Sequence, residues 1–120
     1  MIASVHGTVL RVGTSRAVID VGGIGLSVLA TPTTLSGLRE GNTATLFTSL
    51  VVREDSLTLF GFADEDERET FDILQGVSGV GPKLALSVLS VHTPDALRAA
   101  VASEDAAALQ RVSGIGKKGA

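Results

Sequence analysis

A twelve-residue stretch that occurs twice sets the strongest constraint on how this 120-residue chain can fold. Residues 74–85 read LQGVSGVGPKLA, and residues 109–120 read LQRVSGIGKKGA. At an offset of 35, eight of the twelve positions are identical, and a ninth exchanges Val80 for Ile115. Two copies are too few to stack into a solenoid, but they suffice for one pseudo-symmetric unit. Each copy has an apolar helix end, a tight Gly-x-Gly turn, and a basic residue where a second helix should open. That layout predicts tandem helix-hairpin-helix motifs, a device for holding a nucleic-acid backbone.

A net charge of -3 argues against a nucleic-acid partner until its distribution is read. Residues 1–60 carry four basic and four acidic groups, and residues 61–75 carry Arg68 against six acids. Residues 76–120 carry five basic groups against three acidic ones, so the basic surplus falls on the segment with the repeat. Sign segregation of this kind makes whole-chain charge a poor guide to partners. There is no Cys, which excludes a disulfide framework and a thiolate metal site. No apolar run approaches the ~20 residues of a membrane span. The start, MIASVHG, has neither a charged nor an apolar leader region, so a soluble cytoplasmic protein is expected.

Residues 1–62 read as strands and turns, and the scarcity of large residues (four Phe, no Trp, no Tyr) leaves Val, Leu, Ile and Ala to build the core. Residues 2–12 are rich in β-formers, with Gly7 as a bulge or bend. Residues 17–21 and 26–30 flank Gly22-Gly23, a hairpin signal. Thr31-Pro32 reads as an N-cap followed by Pro at the first position of a short helix running to about Leu38. Residues 44–52 form the clearest strand, with Ala44, Leu46, Leu50 and Val52 on one face and Thr45, Phe47 and Ser49 on the other. Residues 57–62 complete five strands, with the short helix between the third and fourth. That order suits an OB-fold, a small Greek-key barrel. The expected class is therefore α+β in two small domains. Residues 1–62 form the five-stranded OB-fold barrel, and residues 63–120 form an all-α tandem helix-hairpin-helix domain.

Arg53-Glu54-Asp55-Ser56 lies between two apolar strands and reads as a hairpin tip. A charged tip can serve solubility alone. Two adjacent carboxylates on a stiff hairpin would also repel phosphates, which on a DNA-binding face forbids duplex at one point. A catalytic carboxylate pair is disfavoured by the lack of a partner base or metal ligand.

Asp64 is the expected N-cap of a helix to about Gln75, with acids in its first turn favouring the helix dipole. Phe71, Ile73 and Leu74 form a partial apolar stripe that Val77 extends. The acidic cluster at 64–67 lacks the ligand spacing of a metal loop and reads as a solvated first turn. Beyond the first hairpin, Pro82 opens an apolar helix to about Val91, Thr93 caps a helix over 94–102, and Ser103-Glu104-Asp105 caps another over 104–111.

The two hairpins are Val77-Ser78-Gly79-Val80-Gly81 and Val112-Ser113-Gly114-Ile115-Gly116. Their glycines permit positive φ and close approach of the backbone to a ligand. Each delivers unpaired N–H groups at a helix N-terminus, which favours an anion. Val80 and Ile115 plug the hairpins into the helices behind them. Lys83 and Lys118, at matching positions, add a point charge for the same phosphate. Nothing in the motif reads a base edge, so the expected contact is to backbone and shape. Residues 114–119 also fit G-x-G-x-x-G, but a helix rather than a strand precedes them. The segment 76–82 fails as a P-loop because Pro82 stands where the lysine is required. No nucleotide, metal or other cofactor is expected, and isolated His6 and His92 read as structural or surface residues.

The barrel, the VVREDS hairpin followed by LTLFGF, and the paired GVGPK and GIGKK hairpins together resemble the RuvA family over essentially all 120 residues. These are the Holliday-junction-recognition subunits of bacterial branch-migration machinery. The order barrel, acidic hairpin, paired hairpins carries the resemblance, since paired hairpins alone occur in many DNA-repair proteins. It implies four-fold tetramers, sometimes paired as octamers, each subunit holding one arm of an open four-way DNA junction. It implies that Gly79, Val80, Gly81 and Lys83 serve one phosphate strand and that Gly114, Ile115, Gly116, Lys117 and Lys118 serve the other. Glu54 and Asp55 match the family's acidic pin, and the ATPase RuvB is implied as a separate motor, so the chain itself would be non-catalytic. Family members continue beyond the second hairpin through a last helix, a flexible linker and a small RuvB-binding domain. This sequence stops two residues after Lys118, which puts motor coupling in doubt.

Three rival readings predict different behaviour. A general duplex-binding hairpin module would bind linear duplex and junction equally. A base-excision glycosylase would need a catalytic Asp, for which Asp105 is the one suitably distant candidate, although a cap role suffices there. A protein-interaction adaptor would not bind DNA.

Overall fold

β-Branched and apolar residues at alternating positions build five strands: β1 Ser4–Val12, β2 Arg16–Val21, β3 Ile24–Ala30, β4 Thr43–Arg53 and β5 Ser56–Phe62. In the computed structural model, which describes residues 2–97, these strands form a closed barrel in the order β1-β2-β3-β5-β4. β3 and β5 pair in parallel, while β1 and β4 close the barrel in antiparallel fashion. This is the five-stranded topology expected for an OB-fold. The chain divides into two compact units, Met1–Arg68 and Glu69–Ala120.

Within the first unit, Val5, Val9, Ile19, Val28, Leu46 and Leu59 belong to the buried barrel core. The turn between β2 and β3 has Gly22 at φ 61 and Gly23 at φ 93, the two left-handed residues of a type I′ hairpin. Asp20 Oδ1 accepts from the Gly23 N–H at 2.8 Å and pins the turn. Of the bulge or bend expected at Gly7, the bulge lies elsewhere. The register of β1 on β2 shifts between Val9 and Arg11, so the extra residue is Leu10. Gly7 is instead a point of close approach, where an added Cβ would run into the Asp20 carbonyl.

Helix α1, Pro32–Ser36, lies between β3 and β4. Thr31 caps it, its Oγ1 accepting from the Thr34 N–H at 3.2 Å. The helix ends at Ser36, with Gly37 as its C-cap, a little earlier than the expected end near Leu38, and both Leu35 and Leu38 are buried. On β4 the alternation puts Leu46 and Thr48 inward. The buried Thr48 hydroxyl donates to the Ile2 carbonyl at 2.7 Å, and the Thr48 N–H donates to the Ala3 carbonyl at 2.9 Å. Those two bonds tie the start of the chain to the barrel and satisfy a polar group that burial would otherwise penalise. His6 is a surface residue, with Nδ1 2.7 Å from the Thr45 Oγ1 across the β1–β4 pair.

Helix α2, Glu65–Gln75, begins as expected: Asp64 Oδ1 accepts from the Glu67 N–H at 2.8 Å. Arg68 pairs with Glu65 at 3.2 Å one turn away. Burial, and then the neighbouring Asp64 and Asp66 carboxylates, push the Glu67 carboxyl above its usual range. Among the described residues no group of three or more His, Asp or Glu side chains is placed to hold a metal ion. The expected stripe on α2 is narrower than the sequence suggested. Phe71 is buried and Leu74 is half-buried, but Ile73 is 72% exposed. Ile73 sits two residues from Phe71, which is about 200° around the helix.

Helix α3, Pro82–Val91, follows the first hairpin. Ala85, Val88 and Leu89 are buried, whereas Val91 at its end is exposed, so one face rather than the whole circumference is covered. The next helix opens at residue 94, with Thr93 Oγ1 accepting from the Ala96 N–H at 3.1 Å. No helix among the described residues is long and apolar enough to cross a membrane.

Candidate nucleic-acid interface

On the first unit the candidate element is the tip of the β4–β5 hairpin. Arg53 pairs with Ser56, so Glu54 and Asp55 are the two loop residues of a tight turn. Ladder pairing continues unbroken from Phe47↔Phe62 to Arg53↔Ser56, which makes the hairpin a stiff support. Residues 52–57 are all exposed. The two carboxylates therefore sit in water at the end of a rigid ribbon, where they can repel a phosphate without any cost of burial.

On the second unit a separate candidate element is the hairpin between α2 and α3. Helix α2 closes with short-range bonds: the Gly76 N–H to the Ile73 carbonyl at 3.0 Å, and the Val77 N–H to the Leu74 carbonyl at 3.1 Å. The Val80 N–H then donates to the Val77 carbonyl at 3.0 Å, folding the turn back on itself. Gly79 has φ +85, and an added Cβ there would meet no atom within 4 Å. Its glycine is required by the backbone rather than by crowding, and its outer side is open to a ligand. Val80 is 7% exposed and is the expected plug.

Gly81 does not use the positive φ that glycine permits. It is the N-cap of α3 at φ -89 and ψ 178, ordinary extended backbone. It brings no side chain to cap the helix, and Pro82 occupies the first helical position. The first-turn N–H groups, including those of Lys83 and Leu84, have no intrahelical acceptor and lie at the positive end of the helix dipole. The exposed Lys83 is in the same turn. This end of α3 combines backbone donors, helix dipole and a cation for an anionic group.

Glu54 and Asp55 thus lie together on the first unit, and Gly79, Val80, Gly81 and Lys83 lie together on the second. Gly114, Ile115, Gly116, Lys117 and Lys118, with Asp105, fall outside the described residues. Sequence reading missed one feature of the tip. Val52 and Leu57 face one another across the ribbon beneath the carboxylates, and they are 63% and 73% exposed. Alternation placed Val52 on one face with Ala44, Leu46 and Leu50. The assignment of face was right, but the ribbon outruns the barrel, and only the strand pairing reveals that.

The described residues present two candidate elements: an acidic hairpin tip on the small β-barrel, and a glycine hairpin that opens a helix beside a lysine. Residues 1–61 match the RuvA N-terminal domain family, and residues 71–120 match the SAM-like helix-hairpin-helix tandem family. The chain belongs to the RuvA family. It is similar over its full length to proteins named Holliday junction branch migration complex subunit RuvA. Identity is 67% with that of Thermobifida fusca, 65% with that of Beutenbergia cavernae and 63% with that of Streptomyces coelicolor. The chain spans 59–60% of the length of these relatives.

Proposed function

We propose that this chain binds four-way DNA junctions by shape, without sequence preference, as the subunit that holds a junction open for branch migration in recombination and repair. The observation that carries the reading is the stiff Glu54-Asp55 tip in a chain 67% identical to a Holliday junction branch migration subunit. Residues 1–62 act as the barrel domain that presents the acidic pin, and residues 63–120 act as the paired-hairpin domain. Gly79 and Gly81 let the backbone approach one phosphate strand, Val80 anchors the hairpin behind them, and the first-turn N–H groups of α3 with Lys83 hold the strand. The sequence repeat assigns Gly114, Ile115, Gly116, Lys117 and Lys118 the same task on the other strand. The tip carboxylates keep duplex away from the crossover, so arms are held while the centre stays open. The assembly is a four-fold tetramer, able to pair into an octamer, acting in the cytoplasm. The chain is non-catalytic, and the motor is the separate ATPase RuvB.

A gel-shift on a synthetic four-way junction with excess linear duplex tests this reading. The expected result is a junction complex that survives the competitor. Equal competition by linear duplex would replace the reading with a general duplex-binding module, and absence of any shift would refute DNA binding.

A further inference from the structure

The two faces of the β4–β5 ribbon differ in chemistry. One carries the aliphatic pairs Leu50 with Leu59 and Val52 with Leu57. The strand period places Arg53 on the other face, directly across the ladder from Ser56, with Thr58 on the diagonal. Arg53 and Ser56 are exposed, and Thr58 is half-buried. Among the described residues, none of these three side chains has a hydrogen bond or an ion pair. That holds for Arg53 although Glu54 and Asp55 follow it directly in the chain. A guanidinium and two hydroxyls therefore stand together as free donors on a stiff support, beside the turn rather than on it.

Charge and donor geometry set what such a face takes. A planar fork of N–H donors flanked by hydroxyls suits an oxyanion, and a phosphodiester is the oxyanion that a nucleic acid presents at every step. The carboxylates decide where that phosphate can lie. Over the turn it meets Glu54 and Asp55 and is repelled. Beside the ribbon it touches the guanidinium directly, while the carboxylates act from farther away through water that screens over about 10 Å at 0.1 M salt. Attraction therefore wins on the flank, and repulsion wins at the tip. An acidic segment of a neighbouring copy would offer the same charge, and the test below separates the two.

Resting on the junction-binding reading above, we infer that Arg53, Ser56 and Thr58 form a phosphate site on the flank of the acidic tip, which takes the backbone of a strand passing the crossover. The hairpin then both repels and holds. Its turn keeps phosphates off the centre, and its flank fixes the strand that bends beside it. In a four-fold assembly each tip serves one of the four strands of the junction.

The test is the salt dependence of binding to a four-way junction and to linear duplex, for the full chain and its Arg53→Gln, Arg53→Lys and Ser56→Ala variants. Both sites are exposed, so melting temperatures should match the parent. Arg53→Gln should flatten the junction slope by ~0.9, one phosphate's worth, and bind the junction about tenfold more weakly at low salt. Its slope on linear duplex, which has no crossover to place beside the tip, should stay that of the parent. Arg53→Lys should keep the junction slope. Ser56→Ala should bind the junction about threefold more weakly at the parent slope, because a neutral donor displaces no counterion. An unchanged junction slope in Arg53→Gln would overturn the inference. So would equal flattening on linear duplex, which would make Arg53 a general backbone contact. A change in the mass of DNA-free Arg53→Gln protein by sedimentation would also overturn it, by assigning the flank to contacts between copies. A parent chain that shows no junction preference would overturn the functional reading itself, and this inference with it.

Discussion

Replacing Gly79 with Ala isolates the backbone requirement of the hairpin. Gly79 sits at φ +85, and an added methyl would meet no atom within 4 Å, so the substitution introduces no clash. The remaining cost is the left-handed conformation itself, about 1–2 kcal/mol for an L-residue. A small domain loses roughly 4–8 °C of melting temperature per kcal/mol, so Gly79→Ala should melt about 5–15 °C lower. Gly79→Asn should lose less, because Asn tolerates this region better than Ala. Thermal denaturation followed by circular dichroism measures both. Junction affinity should fall in the same order, since a hairpin that relaxes out of this turn misplaces the first-turn N–H groups of α3. Melting of Gly79→Ala at the parent temperature would refute the left-handed turn and, with it, the argument for open backbone at this site.

Other expectations follow from single contacts. Lys83→Ala should flatten the salt dependence of junction binding by a slope of ~0.9, one phosphate's worth, and an unchanged slope would remove Lys83 from the phosphate site. Glu54→Gln with Asp55→Asn should keep or strengthen DNA binding while relaxing the preference for junction over duplex; loss of binding would sink the repulsion argument. Thr48→Val should cost about 1–2 kcal/mol in denaturant unfolding, because it removes the hydroxyl that donates to the Ile2 carbonyl inside the barrel. Glu67 is held above its unfolded range, so the folded state binds its proton more tightly and the charged form opposes folding at neutral pH. Glu67→Gln should therefore raise the melting temperature at pH 7. The gain should disappear as the pH falls through the raised value toward 4.5 and below. A gain independent of pH would mean that the charge is not its source.

The features that local chemistry dictates were legible in the sequence. Thr31-Pro32 and Asp64 cap helices because their side-chain oxygens reach an N–H three residues on, and Gly22-Gly23 turns because both residues need positive φ. The first hairpin was legible because its glycines, plug and lysine lie within seven residues of one another. Tertiary structure decided matters that depend on distant strands. Gly7 needed Asp20 beside it before its role as a close approach, rather than a bulge, could be seen. The bulge at Leu10 exists only as a mismatch between β1 and β2. Ile73 shared local hydrophobicity with Phe71, but which side of α2 is covered depends on what packs there. Alternation fixed the face on which Val52 lies, because the strand period is a local property. Whether that face is core or surface at residue 52 depends on how far β4 and β5 run past the rest of the barrel, and no local pattern encodes that length.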